Sequence, residues 1–207
     1  MLKKLLWMIP LALVLGIGFS ALDWPIWVAL VVFAFIASLE IPWMLYILYR
    51  SQNLKGITKY INQQRNNPMF DYFYQLREGS DAQMIAALDR VLEKYNNKKL
   101  QAVYGANRAV FLKDFDAARH LIAPVAQTEI GQYTLALVAA LENDETEMNN
   151  YTVQTPWMQS SLRAQLAFAR GDRLAYERHM KQSINESKGI QYYSNIHMFE
   201  RMKREIE

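Results

Sequence analysis

The chain has 207 residues, 52% of them hydrophobic, a formal net charge of +3 and no cysteine. Without cysteine there are no disulfides, no thiolate metal sites and no cysteine nucleophile. The positive charge is local: residues 50–66 carry Arg50, Lys55, Lys59 and Arg65 with no acid, whereas residues 67–207 are close to neutral. That leaves no broad basic face of the kind that binds nucleic acid, so nucleic acid is not an expected partner.

The chain opens with two apolar segments, Leu5–Leu22 and Pro25–Tyr49, joined at Asp23-Trp24-Pro25. The first has no charge over a length that just spans a hydrocarbon core of about 30 Å. Trp7, Trp24, Trp27, Trp43, Tyr46 and Tyr49 stand where interfaces would fall. Residues 1–49 are therefore expected to form a transmembrane helical hairpin. Lys3 and Lys4 before it and Arg50 after it put both ends in the cytoplasm by the positive-inside rule. The expected location is thus the cytoplasmic membrane, multi-pass, with the main domain facing the cytoplasm. A cleaved signal peptide over residues 1–21 is the alternative, because Gly18, Ser20 and Ala21 resemble a cleavage site.

Glu40 is the one ionisable residue within the second apolar run, beside Pro42. An intramembrane carboxyl defaults to a functional hypothesis. Three readings stay open: an interfacial or protonated glutamate, a polar contact to another membrane protein, or ion coupling. Residues 50–67 then form a basic juxtamembrane link. Leu54, Ile57 and Ile61 recur at helical spacing there, with Arg50, Lys55, Lys59 and Arg65 placed to meet anionic headgroups. Asn66-Asn67-Pro68 ends it.

From residue 68 onward the pattern is one of paired helices. Turn signals recur at Gly79-Ser80-Asp81, Lys113-Asp114, Asn143-Asp144 and Gly171-Asp172. Before three of them alanines stand three apart: Ala106 and Ala109, Ala136 and Ala139, Ala164 and Ala167. That spacing puts both small residues on one helix face, where a neighbouring helix can approach. Apolar positions follow the turns: Met84, Leu88 and Val91; Ala118, Ile122 and Val125; Met148 and Val153; Tyr176 and Met180. Residues 190–207 read as one last amphipathic helix suited to capping the array. A chain beginning near Asn67 is expected to fold by itself.

Phe111-Leu112-Lys113-Asp114-Phe115-Asp116-Ala117-Ala118-Arg119 resembles the turn and second-helix start of a tetratricopeptide repeat, and Phe168-Ala169-Arg170-Gly171-Asp172 looks like the same turn. The likeness covers residues 68–186 and departs from the family in a missing aromatic, missing prolines and two short repeats. It implies an all-α chain in which a tetratricopeptide-like α-solenoid, residues 68–207, follows the transmembrane hairpin and ends in a C-terminal capping helix. It also implies a concave face lined by first helices, including Val103, Asn107, Val110, Tyr133, Leu137, Gln165 and Phe168. A protein partner is expected there, bound as an extended peptide or a helix.

No chemistry is legible beyond this. His120, His179 and His197 lack partners at metal-ligand spacing, and no phosphate loop, dinucleotide fingerprint or nucleophile elbow occurs. The acidic run Glu142–Glu147 lacks the glycine of a calcium loop. No catalytic residue, cofactor, metal or small-molecule substrate is therefore expected. The function expected is that of a membrane-tethered adaptor, similar to anchored repeat proteins of bacteria in envelope assembly, secretion or quality control. The second expectation is an accessory subunit that docks through its transmembrane hairpin and Glu40.

Overall fold

The computed structural model describes residues 26–206, and these form eleven α-helices with no strand among the described residues. The helices are α1 (Ile26–Tyr49), α2 (Leu54–Gln63), α3 (Pro68–Glu78), α4 (Asp81–Lys94), α5 (Lys98–Phe111), α6 (Phe115–Ile122), α7 (Glu129–Leu141), α8 (Glu145–Met148), α9 (Pro156–Ala169), α10 (Arg173–Glu186) and α11 (Gly189–Ile206). A 3₁₀ turn, Ala123–Val125, follows α6. From α3 to α10 the helices pack as successive antiparallel pairs, and each pair packs on the next.

The starts of these helices are written in their caps. Asn53, Asn67, Ser80, Asn97, Asp114, Thr128, Asp144 and Asp172 each accept from a free backbone N–H of the first turn. At Ser80 the exchange is reciprocal, since the Gln83 side chain accepts from the Ser80 N–H. Pro68 and Pro156 occupy first-turn positions, where a missing N–H costs nothing.

Three turns share one geometry. Lys113, Asn143 and Gly171 lie in the left-handed region, at φ 58°, 62° and 70°. Each precedes an aspartate whose own N–H donates at 2.9 Å to the carbonyl five residues back: Asp114 to Ala109, Asp144 to Ala139, Asp172 to Ala167. The acceptor is in every case the second alanine of the pair seen in the sequence. All six paired alanines are buried. Small side chains, left-handed turn and aspartate cap therefore recur as one unit, which makes residues 98–186 a helical repeat array.

The fourth turn is different. Gly79 has φ −88°, outside the left-handed region, and its helix cap is the serine box. The third second-helix is also reduced to the single turn α8. Asn149, Asn150 and Tyr151 follow it, and the chain then runs irregularly to Thr155. Glu129 holds that stretch by accepting from the Gln154 and Thr155 N–H groups and the Thr155 hydroxyl. The shortened spacing between the last two turns comes from this lost helix. Met148 stays buried in the core all the same.

The last helix does more than cap. α11 packs on α10 and also on α1, α2 and α3, so the end of the array meets its beginning. Ile47 of α1, Ile57, Tyr60 and Ile61 of α2 and Tyr193 of α11 form one buried cluster, with Phe70, Phe73 and Tyr74 of α3 against it. Met198 of α11 reaches the cluster of Tyr72, Leu76, Leu88 and Tyr104. One core thus draws on all three of the segments 1–49, 50–67 and 68–207. The apolar stripe of α2 is buried in protein rather than laid on headgroups, with Ile57 and Ile61 fully buried.

The transmembrane hairpin needs correction. Its first span, Leu5–Leu22, and the Asp23-Trp24-Pro25 turn lie outside the described residues. Its second span becomes α1, but among the described residues no helix is long and apolar enough to cross a membrane. The last turns of α1, Met44 to Leu48, belong instead to the protein core through Met44, Ile47 and Leu48. The multi-pass membrane location is overturned by the same finding.

Candidate functional site

The residues expected on one concave face are separated by the fold. Gln165 of α9 is covered by α11, its amide donating to the Met202 sulfur at 3.4 Å, and Phe168 packs on Tyr176 of α10, in a cluster that Phe199 and Met202 of α11 also join. Tyr133 lies edge-on to Trp157 and shares a hydrogen bond of 3.0 Å with the Ser161 hydroxyl. Leu137 packs in the same inter-helix cluster, with Ala136, Met148 and Leu162. Asn107, Val103 and Val110 on α5 are half-buried. Packing between neighbouring repeats thus absorbs Tyr133 and Leu137, α11 absorbs Gln165, and Phe168 joins the cluster around Tyr176.

The acidic run is a clamp. Arg119 of α6 pairs with Glu142 and with Glu147 at 3.1 Å, and Arg170 of α9 reaches Asn143 at 2.8 Å and Glu145 at 2.7 Å. Each arginine joins the corner to a neighbouring pair of helices. Among the described residues no group of three His, Cys, Asp or Glu side chains is placed to hold a metal ion.

The basic set divides. Arg65 is engaged: its Nε is 3.3 Å from Asp71 Oδ1 and its guanidinium lies 3.9 Å over the Tyr74 ring. Asp71 is buried and also accepts from Arg90 at 2.5 Å and from Gln75 at 3.2 Å, which fixes the entry to α3. Arg50 is exposed at the end of α1. Lys55 and Lys59 stand one turn apart on the exposed side of α2. With Leu54, Thr58, Asn62, Gln63 and Arg77 they line a surface depression of about 580 Å³ between α2 and α3. Glu40 falls within α1, and its side chain lies outside the described ones.

Behind Arg77 the two ends of the array meet in a buried polar cluster. Arg77 pairs with Glu78 and faces the Tyr193 phenol, which burial pushes up to about 12. Tyr193 lies edge-on to His197 at 4.4 Å, and both are buried on α11. His197 Nδ1 is 2.9 Å from Glu200 Oε2, while its buried Nε2 has no partner among the described residues. Burial lowers the His197 pKa, and Glu200 opposes that shift only in part. One turn on, Arg201 donates from both terminal nitrogens to the Gly79 carbonyl, at 2.8 and 3.0 Å, and meets Asp81 at 3.1 Å.

No protein-family model, no curated protein and no solved structure matches the chain. The reading of this surface therefore rests on its own residues. Sequence reasoning found the two lysines, but it missed Arg77 and the amides Asn62 and Gln63. Nothing in the local pattern pairs α2 with the end of α3. The one available signal was the acid-free run 50–66, which is unusual in a chain that is otherwise nearly neutral.

Proposed function

We propose that the chain is a protein-binding adaptor built on degenerate tetratricopeptide-like hairpins. The observation that carries this reading is the threefold recurrence of one turn: a left-handed residue, an aspartate cap and a bond back to a buried alanine. Repeats of that kind stack neighbour on neighbour and present an extended surface rather than a closed pocket, a geometry suited to peptides and helices. The depression beside Lys55 and Lys59 fits the same use, since it is open and edged by exposed cationic side chains.

Site-specific photo-crosslinking in cells tests it. A photoreactive residue at Asn107 and another at Lys55 should capture the same discrete protein partner. The same residue at Leu174, which is 82% exposed on α10, should not. Absence of any position-dependent adduct sinks the adaptor reading.

A further inference from the structure

Lys55 and Lys59 are the two cations of this surface that the fold leaves unused. Neither makes an ion pair with any described residue, and no acid occurs anywhere from residue 50 to residue 66. Across the depression, Arg77 is balanced by its neighbour Glu78, so the two lysines set the sign of the site. The walls are mostly carbon: Leu54 and the aliphatic stems of Lys55, Lys59 and Arg77, with Thr58, Asn62 and Gln63 supplying polar contacts at the edge. A bare phosphate would leave such walls uncovered. An apolar side chain on the same face of a peptide as its carboxylates would cover them.

We infer that the depression between α2 and α3 binds an acidic peptide segment of the partner, one that in extended form presents two carboxylates, two residues apart, and an apolar residue two positions further along on the same face. The apolar residue sits on Leu54, and the carboxylates meet Lys55 and Lys59. Residues one helical turn apart have their Cβ atoms about 6 Å apart, so carboxylates two apart in an extended peptide, about 7 Å, reach both ammonium groups. The amides of Asn62 and Gln63 are positioned to pair with the peptide backbone. The site lies where α2, α3 and α11 share a core, so its rigid backing is the joint between the two ends of the array. Exposed charges of this sort govern encounter and selectivity more than raw affinity, so the interaction is weak alone and sensitive to salt.

This inference rests on the adaptor reading, but its test uses only the purified full chain. The probe is a short fluorescein-labelled peptide of the pattern Glu-Ser-Glu-Ser-Leu, which puts both carboxylates and the leucine on one face when extended, followed by fluorescence anisotropy. Binding is expected, with affinity falling as salt is raised. The double variant Lys55→Glu/Lys59→Glu should lose at least about tenfold, the equivalent of one exposed charge pair reversed at each lysine. Both side chains are exposed, so the fold is not at stake, and unfolding curves should overlay those of the parent. The control Lys98→Glu/Lys99→Glu, two exposed lysines on α5, should leave binding unchanged.

Equal loss in both variants would mean attraction by net charge alone and would overturn the site, as would no loss in either. Binding to vesicles with anionic headgroups, dependent on Lys55 and Lys59 while the peptide fails to bind, would assign the surface to lipid and overturn the peptide. A failed peptide test alongside position-dependent crosslinks at Asn107 would leave the adaptor standing without this site.

Discussion

The backbone N–H of Gly189 donates to the carbonyl oxygen of Ser51 at 2.7 Å, which joins the start of the last helix to the end of the first. Gln52 strengthens the joint from its side chain, donating to the Asn185 and Ser187 carbonyls at 3.0 and 2.9 Å. Gly189 has φ +61°, and a Cβ there would lie 1.9 Å from the Leu48 carbonyl oxygen. Backbone and space both require glycine. Gly189→Ala should therefore cost at least about 2 kcal/mol in denaturant unfolding. Gly171 is the control: its φ is +70°, but nothing lies within 4 Å. Gly171→Ala should cost only about 1 kcal/mol, the left-handed penalty alone. Equal costs at the two sites would mean that the close approach at Gly189 does not exist.

The repeated turn makes a second prediction with the opposite sign. Lys113 holds the position of Gly171 with a side chain in a region that disfavours one. Its φ of 58° matches the glycine geometry, and the residue is exposed. Lys113→Gly should stabilise by about 0.5 kcal/mol, the strain relieved less the entropy that glycine adds to the unfolded chain. Asn143→Gly should instead destabilise by up to about 1 kcal/mol, because asparagine tolerates this region and its Oδ1 accepts from Arg170 Nε at 2.8 Å. A loss of stability at Lys113 in thermal unfolding would show that the turns are not equivalent.

How much of this was legible depends on range along the chain. The alanine pairs, aspartate caps and helix starts could be read directly, because each is decided by partners within five residues. The turn at Gly79 was found, but its different geometry was not legible, because Gly79 and Gly171 look alike while the bonds that separate them are not local. Gly79 is held by Arg201, 122 residues away. The early collapse of α8 could not be foreseen from Met148 and Val153, whose apolar spacing fits a helix that Asn149 and Asn150 end. Gln165 and Phe168 were placed on a groove because nothing in their neighbourhood reveals that Met202 returns to meet Gln165 or that Phe199 joins the cluster Phe168 packs on. The second apolar segment, Pro25–Tyr49, was read as a span because hydropathy does not distinguish a lipid contact from a core contact, and Ile47 serves the core.

Arg201 carries the third prediction. Its side chain is 10% exposed and satisfies the carbonyl of Gly79 through two charge-assisted bonds. Removing it leaves that carbonyl short of its partners and loosens α11 from α3. Arg201→Met, which keeps much of the volume, should cost about 2 kcal/mol. Lysine cannot reproduce the fork and should rescue less than half of that. Lys181→Ala serves as the contrast: the residue is 66% exposed and 3.6 Å from Glu177, so its loss should stay within about 0.5 kcal/mol. Chemical denaturation of the three variants decides the matter, and similar midpoints for Arg201→Met and Lys181→Ala would deny the buried role.

Residues 67–207 should not behave as an independent unit. A chain starting at Asn67 lacks Ile47, Ile57, Tyr60 and Ile61, and so uncovers Tyr193, Phe70, Phe73 and Ile190 together. Exposed apolar patches of that size promote self-association. The shortened chain should bind a hydrophobic dye and elute as more than a monomer in size exclusion. A chain that begins at Ile41, restoring the end of α1 and all of α2, should bind less dye. A monomeric, dye-free product from residue 67 would mean that α11 does not depend on the first helices.

Acid should loosen the joint, and His197 sets the direction. Its imidazole is buried against Tyr193 and beside Glu200, with the charges of Arg77 and Glu78 near enough to act on it, and burial holds its pKa below the ordinary 6.5. The folded protein therefore binds fewer protons than the unfolded chain in the interval just under pH 6.5. By linkage, stability then rises with pH in that interval, so its contribution is complete above about pH 6.5 and is lost as the pH falls through the depressed folded value. His179 on α10 is shifted the same way, by burial first and then by Arg178 and Arg163, and adds to the slope. His197→Phe should flatten part of the dependence while keeping an aromatic ring against Tyr193. His179→Phe should flatten the remainder. Thermal unfolding from about pH 7.5 down to about pH 5 measures both. The assignment fails if the melting temperature of the parent holds level or climbs over that range, or if the two variants retain its full slope.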